Sequence, residues 1–132
     1  MAFLIAADVI IQAERKKLDF DAWLRAHPVE EVRMAAITVA ELWRSADRAA
    51  PPQRTLRQKF LQRMLDVIEV VPYGEKAAIE HARLWATVNA TGLRVGMQDL
   101  ILAATAMASG ATVVTMNTRR FEPIPGLTVV AP

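Results

Sequence analysis

Apolar and polar residues recur along this chain with two periods, and the switches between them mark out its elements. Residues 3–7, Phe-Leu-Ile-Ala-Ala, are an unbroken apolar run that predicts a short buried strand. Asp8 follows in a position to cap a helix over residues 9–17. A second helix is predicted over 19–26. It ends before His27-Pro28, because the residue ahead of a proline avoids helical backbone. Residues 32–37 read as a second strand. Thr38-Val-Ala-Glu41 has the spacing of a capping box, which predicts a helix running to Arg48. Pro51-Pro52 breaks the chain, and a long helix follows over 53–66. The β-branched run 67–71, closed by Pro72, predicts a third strand. Residues 75–89 form a helical pattern with Ala78, Ala82, Leu84, Trp85 and Val88 available for packing, and Gly92 stops it. After Gly96, residues 98–109 are alanine-rich and apolar on most faces, the mark of a buried helix that Gly110 ends. Residues 111–115 and 127–130 predict the fourth and fifth strands.

Short strands alternating with helices define an α/β class, a parallel sheet with helices on both sides. The 132 residues fit one domain spanning the chain. No repeat, low-complexity segment or linker divides it.

Composition narrows the chemistry. With no cysteine and two histidines, disulfides and thiolate metal sites are excluded and a histidine-rich zinc site is disfavoured. Any bound metal should have oxygen ligands, which points to Mg2+ or Mn2+. The apolar start lacks the basic flank of a signal peptide, and no run is long enough to cross a bilayer. The expectation is a soluble cytoplasmic protein without a membrane partner. A net charge of +2 decides little, but the bases are mostly arginine, which suits bidentate contacts to phosphate.

In open α/β sheets, ligands bind beyond the carboxyl ends of the strands. Asp8 follows the first strand, Glu41 lies one helical turn past the second, and Thr115-Met116-Asn117 follows the fourth. Asp99 lies in the first turn of the alanine-rich helix. Four oxygen-bearing side chains distant in sequence can therefore meet at one sheet edge. Crowded carboxylates repel one another, and a divalent cation relieves that repulsion while activating water against a phosphodiester. Each residue also has a local explanation. Glu41 can complete the capping box, Asp99 can favour the helix dipole, Asp8 can cap its helix, and Asn117 can cap the turn at 118–121.

Three segments carry a family resemblance: Ile37-Thr-Val-Ala-Glu41-Leu42, Gly96-Met-Gln-Asp99-Leu-Ile-Leu-Ala-Ala104 and Val114-Thr-Met-Asn117-Thr-Arg-Arg-Phe121. The close, Ile124-Pro-Gly126-Leu127, also fits. Together they resemble the PIN-domain toxins of bacterial VapBC toxin–antitoxin pairs, over nearly the whole chain. The resemblance implies a metal-dependent endoribonuclease that cuts structured RNA and is silenced by a VapB-like antitoxin. It implies Glu41 and Asp99 as acidic metal-site residues and Asn117 at a fourth metal-site position. Asp8 matches a polar supporting position, and Thr115 matches a hydroxyl residue beside the fourth motif. It further implies a homodimer, operator DNA bound only through the antitoxin, and an antitoxin segment packing where regions 9–26 and 38–50 form an apolar groove.

One position departs from the family. Members open with an apolar strand ending in aspartate, as in Leu-Ile-Asp-Thr-Asn-Val. This chain reads Leu4-Ile5-Ala6-Ala7-Asp8-Val9, which puts Ala6 where the first metal-binding aspartate belongs. A methyl group cannot ligate a cation. Ala6 is either an engineered inactivation or a natural change that Asp8 partly offsets. On either account the chain is expected to be inactive or weakened and to bind divalent metal weakly.

Arg44, Arg48, Arg94, Arg119 and Arg120 flank the site segments, where they can meet RNA phosphates or simply solvate the surface. Trp23, Trp43 and Trp85 read as core. A non-catalytic module retaining antitoxin or RNA binding is the alternative function. A nucleotide-binding domain is disfavoured, since no glycine-rich phosphate loop follows a strand.

Overall fold

The first strand to leave the N-terminus is the middle of the sheet. In the computed structural model, which describes residues 2–132, β1 (Ala2–Ile5) lies between β2 (Glu31–Ala35) and β4 (Ala111–Val114). β3 (Glu69–Val71) and β5 (Val129–Val130) take the edges, giving the order β3-β2-β1-β4-β5. Every pairing is parallel, with Leu4 opposite both Arg33 and Val113. Parallel neighbours need crossovers, and six helices supply them: α1 (Ala7–Glu14), α2 (Phe20–Ala26), α3 (Ala36–Asp47), α4 (Gln53–Val67), α5 (Glu75–Thr91) and α6 (Met97–Ser109). A 3-10 turn, Thr118–Phe121, links β4 to β5.

Successive strand residues point to opposite faces, and each face has its own core. Phe3, Ile5, Met34 and Val114 pack with Val9, Ile10, Leu42, Ala46 and Leu61 from α1, α3 and α4. Leu4, Ala35 and Val113 pack with Leu84, Val88 and the buried length of α6. Helices therefore cover both faces, as the alternating pattern predicts. The apolar surround of α6 also holds: Leu100 and all of Leu102, Ala103, Ala104, Thr105 and Ala106 are buried. Gly92 and Gly110 end α5 and α6 in left-handed backbone, at φ of 69° and 66°.

Two helix starts differ from expectation. α1 begins at Ala7 with Ala6 at its N-cap, so Asp8 lies inside the first turn instead of capping it. α3 begins at Ala36 with Ala35 at its N-cap, so Thr38 and Glu41 form no capping box; Thr38 Oγ1 is buried without a hydrogen-bond partner among the described residues. In both places the strand runs straight into the helix, and the sequence carries no turn residue at the junction. The third strand also begins later than expected, because α4 continues to Val67.

The packing face of α5 is rotated from the one expected. Ala77, His81, Leu84 and Val88 point inward, whereas Trp85 is 46% exposed and stacks on the His81 ring at 5.3 Å. Trp23 and Trp43 do pack against the core on the α1–α4 side. Helices α1 and α3 meet directly through that core. The opening beside them lies between the α1–α2 link and α4, a cavity of about 400 Å3 lined by Lys16, Leu18, Phe20, Phe60 and Met64. A half-buried ion pair, Arg57 to Glu14 at 3.0 Å, ties α4 to α1, and Arg57 also donates to the Ser45 carbonyl of α3. Among the described residues, no helix is long and apolar enough to cross a membrane.

Candidate functional site

Each candidate side chain reaches the same edge because each follows a parallel strand or opens a helix there. β1 passes directly into α1, which carries Asp8 in its first turn. β2 passes directly into α3, where Ile37 packs against the α5–α6 side of the core. Glu41, four residues on, lies on the same helical face as Ile37 and so is carried toward α6. Asp99 occupies the first turn of α6. β4 ends at Val114, and Thr115 and Asn117 follow it.

Asp8 does not cap its own helix. Its Oδ2 accepts from Thr115 Oγ1 at 2.8 Å and from the Met116 amide at 3.2 Å. Thr115 is fully buried, and its hydroxyl in turn accepts from the Asn117 amide at 3.2 Å. The result is a relay that fastens the loop after β4 to the start of α1. Asp8 Oδ1 is buried and has no partner among the described residues. Asn117 stands at the N-cap of the 3-10 turn, but its side chain forms no capping bond and is exposed at the rim.

Glu41 and Asp99 share an electrostatic environment. The Glu41 pKa lies above the ordinary glutamate value, first because of burial, then because of the Asp99 carboxylate; Arg120 opposes the shift and Asp8 adds to it. Asp99 is likewise raised by burial, with Arg120 lowering and Asp8 raising its pKa. Arg120 acts through an ion pair, its Nε standing 3.3 Å from Asp99 Oδ2. The composition of the motifs could not foretell this contact, which depends on how the 3-10 turn folds back toward α6. Beside Glu41, a cleft of about 320 Å3 is lined by Arg44, Ser45, Arg48 and Gln98.

The raised pKa of Glu41 has a thermodynamic sign. The folded state holds the Glu41 proton more tightly than the unfolded chain does, so ionisation of this group destabilises the fold. Its contribution is complete below the unfolded value of 4.5 and is lost as pH rises through the folded one. Glu41→Gln is therefore expected to raise the melting temperature near neutral pH and to leave it almost unchanged below about pH 4. Thermal melts across that range check this, and an equal shift at both ends would contradict it.

The donor set bears on a metal in two ways. Two desolvated carboxylates and the unpartnered oxygen of Asp8 suit a hard cation, and Mg2+ commonly uses one or two carboxylates and completes its shell with water. No group of three His, Cys, Asp or Glu side chains is close enough to hold a metal ion among the described residues. The residues fit a hydrated ion on Glu41 and Asp99, short of a full acidic cage. Ala6 is 1% exposed and belongs to the core on the α6 side, where its side chain offers no ligand.

Comparison with known proteins agrees with this architecture. A family profile for the PIN domain matches residues 5–127. The VapC ribonuclease Y4jK of Sinorhizobium fredii is 34% identical over 137 residues, covering 98% of this chain and 97% of that protein. The tRNA(fMet)-specific endonuclease VapC of Salmonella typhimurium is 33% identical over 96 residues, 73% of this chain and 71% of its own length. The crystal structure of VapBC2 from Rickettsia felis, bound to a DNA fragment from its promoter, shares the fold. Its TM-score is 0.91 at 23% identity, over 100% of this chain and 99% of that one. The chain belongs to the PIN-domain family, in its VapC branch.

Proposed function

We propose that this protein is the toxin of a type II toxin–antitoxin pair, a metal-dependent endoribonuclease acting on structured RNA, weakened or silenced by Ala6. The observation that carries the reading is the meeting of Glu41 and Asp99, both partly desolvated and with the Asp99 carboxylate raising the Glu41 pKa, at the carboxyl edge of a PIN sheet. The names of its relatives, a VapC ribonuclease and a tRNA-specific endonuclease, support the same activity.

Glu41 and Asp99 would hold Mg2+ or Mn2+, with Asn117 at the rim available to join them. The chemistry such an ion supplies when bound is Lewis-acidic: it makes water nucleophilic at neutral pH and offsets charge on the leaving oxygen. Asp8 and Thr115 fix the loop that carries Asn117 and Arg120. A VapB-like antitoxin is the proposed partner, in line with the VapBC2 complex that shares the fold. Homodimerisation, and operator contact through the antitoxin alone, complete the proposal.

Labelled structured RNA tests it. The chain is expected to retain RNA and to cut it slowly, with cleavage that needs Mg2+ or Mn2+ and disappears in Asp99→Asn. Calorimetry with Mn2+ should show weak binding that strengthens in Ala6→Asp. RNA neither retained nor cut, by this chain or by Ala6→Asp, would overturn the proposal. Retention without cleavage in both proteins favours a module that only binds, and Ala6 is the feature that would then explain it.

A further inference from the structure

Five arginines flank the acidic edge, yet among the described residues only Arg120 is engaged by it. Its Nε pairs with Asp99 Oδ2 at 3.3 Å, and its Cζ lies 5.4 Å from the centroid of the Phe121 ring. Phe121 is 1% exposed, so the guanidinium rests on a fixed part of the core. The Arg120 side chain is nevertheless 45% exposed, and its ion pair with Asp99 runs through Nε, not through its two terminal amino groups. A guanidinium presents its donors in a planar fork, and a fork held by one edge can still meet two phosphate oxygens with the other. Arg44, Arg48, Arg94 and Arg119 have no such anchor, and each must lose its side-chain freedom when it binds.

From this geometry we infer that Arg120 is a substrate-positioning residue: Asp99 and Phe121 hold its guanidinium so that its open edge seats an RNA phosphodiester beside Glu41 and Asp99. The inference rests on the ribonuclease reading and assigns one residue the task of bringing a polyanion to a carboxylate pair. Without a cation at the pair, an approaching phosphate meets two negative groups. Arg120 offsets one of them and adds a directed donor.

Fluorescence anisotropy of a labelled RNA hairpin with the full chain, in EDTA, tests the assignment across a salt series. Arg120→Ala should weaken binding about 3- to 10-fold and flatten the dependence of log K on log salt by about 0.7–0.9, the loss of one phosphate contact. Arg120→Lys should restore most of the salt slope and only part of the affinity, since the charge remains and the fork is gone. Arg63→Ala is the control for net charge. It lies near the end of α4 that leads into β3, away from the carboxyl edge, and should leave affinity and slope almost unchanged. Unchanged affinity and slope in Arg120→Ala, or equal losses in Arg63→Ala, would overturn the assignment while leaving the ribonuclease reading intact. Failure of the unaltered chain to bind the hairpin at all would overturn the assignment, while the ribonuclease reading is decided by the cleavage assay with Mg2+ or Mn2+ on this chain and Ala6→Asp.

Discussion

Ala6→Asp is expected to raise metal-dependent RNA cleavage about 100-fold or more, and to lower the melting temperature when metal is withheld. Even groups one step removed from a metal change its affinity about 10- to 100-fold, so a direct carboxylate ligand should matter at least as much. The position is suited to the task. Ala6 follows β1, donates its amide to the Val114 carbonyl at 2.9 Å, and belongs to the core cluster on the side of the sheet where α6 brings Asp99. An added carboxylate there would be buried, on the side of the sheet that carries two acids whose pKa values are already raised. In EDTA that should cost roughly 1–3 kcal/mol of stability, and Mg2+ or Mn2+ should return it by binding the folded state. Paired melts with and without Mn2+, beside the cleavage assay, read both effects. A variant that melts like its parent under both conditions and cuts no faster would mean that Ala6 is not the missing ligand position.

Phe121→Ala should lower stability by about 3–5 kcal/mol, the usual loss for a large aromatic removed from a core. Phe121 is among the largest fully buried side chains, and it shares its cluster with Leu4, Val113 and Ile124. It also ends the 3-10 turn that begins beside Asn117 and carries Arg120. The variant should therefore lose RNA affinity even at temperatures where it remains folded, because the turn is no longer pinned. Urea unfolding measures the first effect, and anisotropy well below the melting point measures the second. A midpoint within error of the parent would show that the turn is held by its backbone instead of by this ring.

The sheet and its helices are legible in the sequence because burial on both faces leaves continuous apolar runs, and amphipathic helices separate them. Helix starts are less so. Ala6 and Ala35 occupy N-caps without offering a side-chain bond, so the residues just beyond them, Asp8 and Thr38, look like caps and are not. The rotation of α5 was also hidden. Trp85 is apolar by type, but His81 takes the inward position and the indole lies over it. At the site, the rule that ligands gather past parallel strand ends suffices to collect Asp8, Glu41 and Asp99. It cannot say that Asp8 is bonded to Thr115, or which arginine turns inward. Those facts depend on loop paths that pattern does not encode.

The bond between Asp8 and Thr115 also sets an order in time. Its partners are 107 residues apart, and β1 finds its β4 neighbour across a similar span, as in Leu4 opposite Val113. At about 5–20 residues per second, a ribosome takes roughly 5–20 s to pass from one partner to the other. Through that interval the nascent chain carries Asp8 and later Glu41, but neither the strand nor the turn that would close the edge around them. Whatever this edge does to RNA, it cannot do as a closed site until β4 and Thr115 have been made and have found β1 and Asp8.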